Sequence, residues 1–268
     1  MKKTINLRPS ETPIQKAKVF SKSFFEEVGN ITNFALHFTR EVFKAPFEFK
    51  EILKQSYVIG NKSLLLVGLS GFIMGVVLTI QSRPTLVTFG ATSWLPAMVA
   101  VGIVREMGPA ITSLICAGKI GSSIGAELAS MKVTEQIDAM EVSGTRPFKY
   151  LVVTRIISTT LMVPLLVFVA DFISLMGSYF ATNLKDYVTL QLFFSDVFNS
   201  IDFTDVFSAT IKTIFFGFAI GLIGCYKGYN SNKGTEGVGE SANSAVVISS
   251  LLVFIIDMIA VQITSFFR

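Results

Sequence analysis

The stretch GIVREMGPAITSLICAGKIGSSIGAELASMKVTEQIDAMEVSGTRPFKY, residues 102–150, sets an adjacent charge pair, Arg105 and Glu106, inside an otherwise apolar run of helix length. It continues through the small residues Ala117, Gly118, Gly121, Ser122, Gly125 and Ala126. From Val133 to Ser143 the apolar phase gives way to a short acidic amphipathic helix, closed by Gly144 and Pro147. Charges in hydrocarbon are costly and usually functional. A polar helix slung between two spans is open to a partner. This one stretch therefore predicts both a substrate site and a docking site.

Working outward, the chain is apolar on the whole. Of its 268 residues 51% are hydrophobic and 16% charged, against about 25% charged in soluble domains; the mean hydropathy is +0.59. A span needs about 20 mostly apolar residues, and five stretches qualify: 63–81, 95–126, 150–181, 205–226 and 243–266. The predicted fold class is an all-α polytopic membrane protein. No cleavable signal peptide is visible, because the N-terminus is polar and basic. Cys116 and Cys225 fall in spans and read as small packing residues. A lone histidine, His37, excludes a histidine-based metal cluster.

Lysine and arginine placement sets the orientation. Eleven of the 23 precede Ser63, and Lys132, Arg146, Lys149, Lys227 and Lys233 lie in two loops on that same side. Only Arg83, Lys185 and Arg268 fall on the other. The positive-inside bias puts the N-terminus in the cytoplasm and the C-terminus outside. The net charge of +4 reads as a tether to an anionic leaflet, not as a nucleic-acid footprint.

Residues 1–15 read as a loose polar tail and 16–60 as an interfacial helix with its lead-in; 61–268 form the five-span domain. Phe20, Phe24, Val28, Ile31, Phe34, Phe38 and Val42 recur at steps of three and four, the period of one helix face. Such a Phe-rich helix with basic flanks lies in the membrane interface or packs on a soluble partner. Pro46 is expected to end it. In the first span Gly71 and Gly75 form a GxxxG pair, which suits close helix approach and suggests a dimer seam. Gln81, Arg83 and Pro84 are expected to end that span, and Trp94 to anchor the next at the interface.

In the second span Pro109 lacks the N–H that would reach the Arg105 carbonyl, so a kink is expected there. Counting inward from Trp94 puts Arg105 about 16 Å down. Neighbours on a helix point about 100° apart, so Arg105 and Glu106 should each seek a partner on another helix or a ligand. Lys212, Asp257 and Asp171 are the candidates on other spans. The cluster is either the floor of an outward-facing cavity or a buried ion-pair network without a ligand.

The loop Lys132–Pro147 faces the cytoplasm. Val133, Ile137, Met140 and Gly144 fall on one face of its helix, with Glu135, Gln136, Asp138 and Glu141 around them; Thr134 is expected to cap it and Gly144 to stop it. The second cytoplasmic loop, GYNSNKGTEGVGESAN, is glycine-rich but lacks the Gly-Lys-Ser/Thr of a phosphate loop. With no Walker motif in the chain, an ATP-driven step must use a partner's ATPase.

The run VREMGPAITSLICAGKIGSSIGAELASMKVTEQIDAMEVSGTRPFKYLVVTR resembles the core signature of the MlaE family, the permease subunits of MCE-type ABC lipid transporters. GTEGVGESANSAVV, followed by a span with an aspartate, is similar to that family's C-terminal pattern, and the likeness covers about residues 20–266. The GYNSNKG stretch is shorter and more polar than the family's. The resemblance implies a homodimer of five-span subunits in a bacterial inner membrane, with an elbow helix before the spans. It implies a cytoplasmic ATPase pair that holds ATP and Mg, in some cases a STAS-domain protein, and an MCE-domain ring on the periplasmic side. Phospholipid is the implied substrate class, and Arg105, Glu106, Lys212 and Asp257 the implied lipid site; Gln81 at the end of the first span is a further candidate for it. The helix over 133–144 would be the coupling helix, docking through Glu135, Gln136, Ile137, Asp138, Met140 and Glu141. Gly118, Gly121 and Gly125 join Gly71, Gly75 and Pro109 as packing and kink positions. Two other classes stand beside this reading. An ion- or proton-coupled secondary transporter would use Glu106 and Asp257, though no inverted repeat is evident. A non-transporting scaffold would use the acidic helix to recruit a cytosolic protein.

Overall fold

The computed structural model describes residues 13–45, 47–232 and 234–266. They form eight helical stretches joined by turns, with no strand among the described residues. In chain order these are α1 (Pro13–Val42), α2 (Phe49–Thr88), α3 (Thr92–Val133), α4 (Gln136–Val142), α5 (Phe148–Asn183), α6 (Leu190–Ser200), α7 (Phe203–Tyr229) and α8 (Thr235–Phe266). Five of them, α2, α3, α5, α7 and α8, are long and apolar enough to cross a membrane. The five-span, all-α reading therefore holds. One compact unit ends at Phe43 and holds α1; a second begins at Lys44 and holds every other helix. α1 spans the stretch of predicted helical period, while most of the expected tail, and Pro46, lie outside the described residues.

Hydrocarbon gives helices no hydrophobic reason to associate, so small residues that bring backbones together do that work. α2 and α5 show how. A Cβ on Gly75 would collide with the Ser174 carbonyl, one on Gly71 would sit 2.8 Å from the Ala170 carbonyl, and Gly177 answers against the Phe72 carbonyl. The Thr79 and Ser178 hydroxyls lie 2.7 Å apart on the same seam. The GxxxG pair is thus spent inside the chain, which corrects its reading as a dimer seam. α5 packs in turn on α7, and α7 on α8, while the second half of α3 fills the groove between α7 and α8. There Gly121 approaches Ser249 and Ile220, and Gly125 approaches Ala245; Gly118 faces open space.

Three predicted boundaries move. Residues 49–60 are the opening turns of α2 rather than a connector. At its other end α2 runs through Pro84 to Thr88; the proline removes one ladder bond, and Arg83 ties the end down with bonds of 2.9 Å to both carboxylate oxygens of Asp186. The glycine-rich loop is half helix, since α8 begins at Thr235. Each glycine there costs about 1 kcal/mol of helix propensity, offset where Ser241 and Ala245 bury against Gly125.

α6 was not anticipated. Thr189 caps it, accepting the Leu192 N–H at 3.3 Å. Its Phe193 and Val197 are fully buried among Leu95, Val99, Ala100 and Ile103 of α3 and Leu175 of α5. It thereby roofs the N-terminal ends of α3 and α7 and the C-terminal end of α5, and encloses a cavity against them.

Candidate functional site

The Arg105–Glu106 pair sits in a π-helical turn, Ile103–Met107, whose closing bond runs from the Gly108 N–H to the Ile103 carbonyl. The kink expected at Pro109 takes this form: an extra residue inserted one turn earlier, a device that often marks function. The widened turn sends the two side chains apart. Arg105 Nη2 donates to Asp205 Oδ2 at 2.8 Å. Glu106 Oε2 accepts from Lys212 Nζ at 2.8 Å, and the same ammonium donates to Asp257 Oδ1 at 3.0 Å. Three of the four predicted residues thus meet directly, and the fourth, Arg105, pairs separately with Asp205 on the helix that carries Lys212.

Asp205 escaped the sequence reading although a signal was present. Asp202 and Asp205 stand three apart at the start of α7, and Asp205 Oδ2 also accepts the Asp202 N–H at 3.2 Å, completing a capping box. One carboxylate oxygen therefore caps α7 and holds Arg105. Asp205 and Lys212 are two turns apart on one face of α7, about 10 Å along its axis. The network is a ladder: Arg105 reaches out to the first turn of α7 while Glu106 reaches inward.

Its two edges differ. Lys212 and Asp205 are only 4% and 5% exposed, whereas the Glu106 and Arg105 side chains are 48% and 30% exposed. One edge is locked; the other is open. Gln81, exposed on α2, takes no part in these ion pairs.

At the opposite end of α3 the expected coupling helix is shorter than 133–144. α3 runs to Val133, Glu135 adopts a left-handed conformation (φ 58°), and α4 spans Gln136–Val142. Thr134 does not cap; its hydroxyl donates to the Ser130 carbonyl at 2.8 Å. The left-handed residue costs about 1–2 kcal/mol and turns the chain so that Ile137 becomes buried, at 1% exposure. Ile137 is therefore an anchor to its own chain, which corrects its place on the docking face. Asp138 pairs with Lys132 at 2.7 Å and Met140 is half-buried. The free face carries Glu135, Gln136, Ala139, Glu141 and Val142, the last 90% exposed. Gly144, at φ 79°, ends the helix as expected.

A family model described as Permease MlaE matches residues 52–263. The chain belongs to the MlaE permease family. It is similar to a probable ABC transporter permease protein of Rickettsia typhi, 37% identical over 240 residues, which are 90% of this chain and 93% of the relative. A probable ABC transporter permease protein of Synechocystis is 34% identical over 206 residues, covering 77% and 78% of the two chains. One from Pyropia yezoensis is 35% identical over 208 residues, covering 78% and 79%. An MlaE permease is an ABC-transporter permease and so works with an ATPase partner.

In this MlaE permease one side of α3 is left uncovered by the other described helices of its own unit. Glu106, Met107, Ile111, Lys119, Ser123 and Glu127 are exposed along it. Glu127 takes Arg155, itself 2% exposed, at 2.8 Å. Lys119, in a second π-helical turn at Ala117–Gly121, has no ion pair among the described residues. The sequence reading passed over this lysine because a lone charge in a run of small residues does not say which side it faces.

Proposed function

We propose that this permease moves phospholipid, or a related lipid, between a bacterial inner membrane and the periplasm, as one half of a homodimer driven by a cytoplasmic ATPase. The uncovered side of α3 carries the proposal. Glu106, Lys119 and Glu127 stand exposed at successive levels of one span, Glu106 and Glu127 each ion-paired on its inner side. A charge facing hydrocarbon costs about 2.5–3.5 kcal/mol, so this side faces water or a second subunit. A second copy across a two-fold axis sets two such stripes opposite each other, and the cleft between them keeps a headgroup out of hydrocarbon.

In this reading Arg105 and Glu106, at the open edge of the ladder, meet the headgroup, while Lys212, Asp205 and Asp257 hold them in place. ATP and Mg belong to the partner ATPase, which docks on the free face of α4 through Glu135, Gln136, Glu141 and Val142. The N-terminus lies in the cytoplasm and the C-terminus outside, where an MCE-domain protein exchanges lipid with the cleft; a STAS-domain protein is a further cytoplasmic partner in keeping with the family.

Lys119→Cys tests the cleft, since Cys116 and Cys225 are both buried. In native membranes a water-soluble, membrane-impermeant maleimide should modify it despite its depth. Modification only by a membrane-permeant maleimide of low polarity would place the stripe in lipid and contradict the proposal.

A further inference from the structure

We propose that the cavity beneath α6 is a separate binding site, complete within one chain, for a lipid-like molecule whose head carries a hydrogen-bond donor. The cavity measures about 420 Å³, within the range of ligand pockets. Phe168 and Phe172 of α5, Phe194 and Phe198 of α6, and Val206 and Ala209 of α7 supply its apolar wall. None of the five ladder residues lines it.

One ionisable side chain does. Asp171 of α5 is 8% exposed and lines the cavity, and its carboxyl takes no hydrogen bond among the described residues, Oδ1 being buried without a partner. A Cβ on Gly108 would collide with that oxygen, so the glycine lets the carboxyl lie against the backbone of α3. The neighbouring ammonium of Lys212 gives its hydrogen bonds to Glu106 and Asp257. The other polar groups on the wall are also acceptors toward the cavity. Thr210 and Thr213 donate their hydroxyl protons to the Val206 and Thr210 carbonyls, at 2.7 and 2.8 Å. Pro109, having no N–H, leaves the Val104–Arg105 stretch short of one helical donor, and Val104 is on the wall.

Buried polar atoms are nearly always paired, and an orphan in an apolar site is costly. The missing partner here is a donor. A phosphate or carboxylate head is excluded, because it would meet an acid and more acceptors. A hydroxyl, amide or ammonium head fits, with its hydrocarbon along the phenylalanines. Phe168, Phe172 and Phe198 are exposed at the margin, so the mouth opens sideways, where membrane lipid lies. The site needs neither a second copy nor an ATPase, so its failure and that of the transport reading are separable.

The test uses the purified full chain in detergent with two photoactivatable probes: a long-chain alcohol carrying a diazirine at mid-chain, and its methyl ether. The alcohol should label peptides of α5 and α6 about tenfold more than the ether, the value of roughly one hydrogen bond. Asp171→Leu should abolish that preference, and Ala209→Phe should lower labelling by both probes through loss of volume. Equal labelling of wild-type protein by the two probes, or a preference that survives Asp171→Leu, would overturn the proposal. The two-probe comparison on the wild-type chain stands even where a variant fails to fold.

Discussion

Replacing Lys212 by methionine removes the cation that Glu106 and Asp257 share while roughly keeping side-chain length. The two acids then fare differently. Glu106, its side chain 48% exposed, can rehydrate; Asp257, at 19%, is left as a largely buried carboxylate. Removing one partner of a buried pair costs about 3–5 kcal/mol, on the order of 10 °C in Tm for a chain of this size. Neutralising the acids as well should lift the penalty, because neutral groups of similar volume often replace a buried ion network at little cost. The variant Glu106→Gln, Lys212→Met, Asp257→Asn should therefore melt within about 3 °C of wild type, yet lose lipid transport with the ATPase present. Survival of monodisperse protein after stepwise heating in detergent gives the Tm. A single variant as stable as wild type, or a triple variant no more stable than the single, would refute the counter-ion role of Lys212.

On α4, Val142→Asp should weaken co-purification of the ATPase at least tenfold while leaving Tm unchanged. Ile137→Asp should instead cost several kcal/mol of stability through its buried charge, and so lower Tm; ATPase loss without destabilisation would return Ile137 to the docking face. Gly75→Leu should disrupt the α2–α5 seam by about 3 kcal/mol or more, beyond ordinary overpacking, whereas Gly118→Ala, in open space, should leave Tm unchanged; equal effects would contradict the packing described. The Arg83 guanidinium beside Asp186 holds its carboxyl below the usual carboxylate range. Stability from that pair is present above about pH 4, the ordinary aspartate value, and is lost as pH falls through the lowered one. The small Tm gap between wild type and Asp186→Asn should thus hold at neutral pH and close in acid; a gap that widens in acid would reverse the assignment.

The five spans could be read from sequence because a helix facing lipid must be apolar for its whole length, and that is visible residue by residue. Where helices end was less legible. Small polar residues at 235–242 look like a loop, yet they enter α8 once Gly125 offers them a close surface. The same ambiguity misplaced Gly71 and Gly75, since a GxxxG pair announces close approach without naming the partner. Of the ladder, Arg105, Glu106, Lys212 and Asp257 stood out as charges in apolar runs. Asp205 did not, because at a helix start a capping acid is ordinary, and only the fold shows that it also holds Arg105. Ile137 was assigned to the wrong side because the left-handed Glu135, which no side-chain pattern announces, rotates α4.

The decisive measurement is transfer of headgroup-labelled phospholipid in proteoliposomes that hold this chain with its ATPase partner. Transfer should require ATP and stop with a non-hydrolysable analogue. The chain alone should neither hydrolyse ATP nor move lipid. Lipid movement at an unchanged rate without ATP or without the ATPase, or none in the complete complex, would contradict an ATP-driven lipid permease.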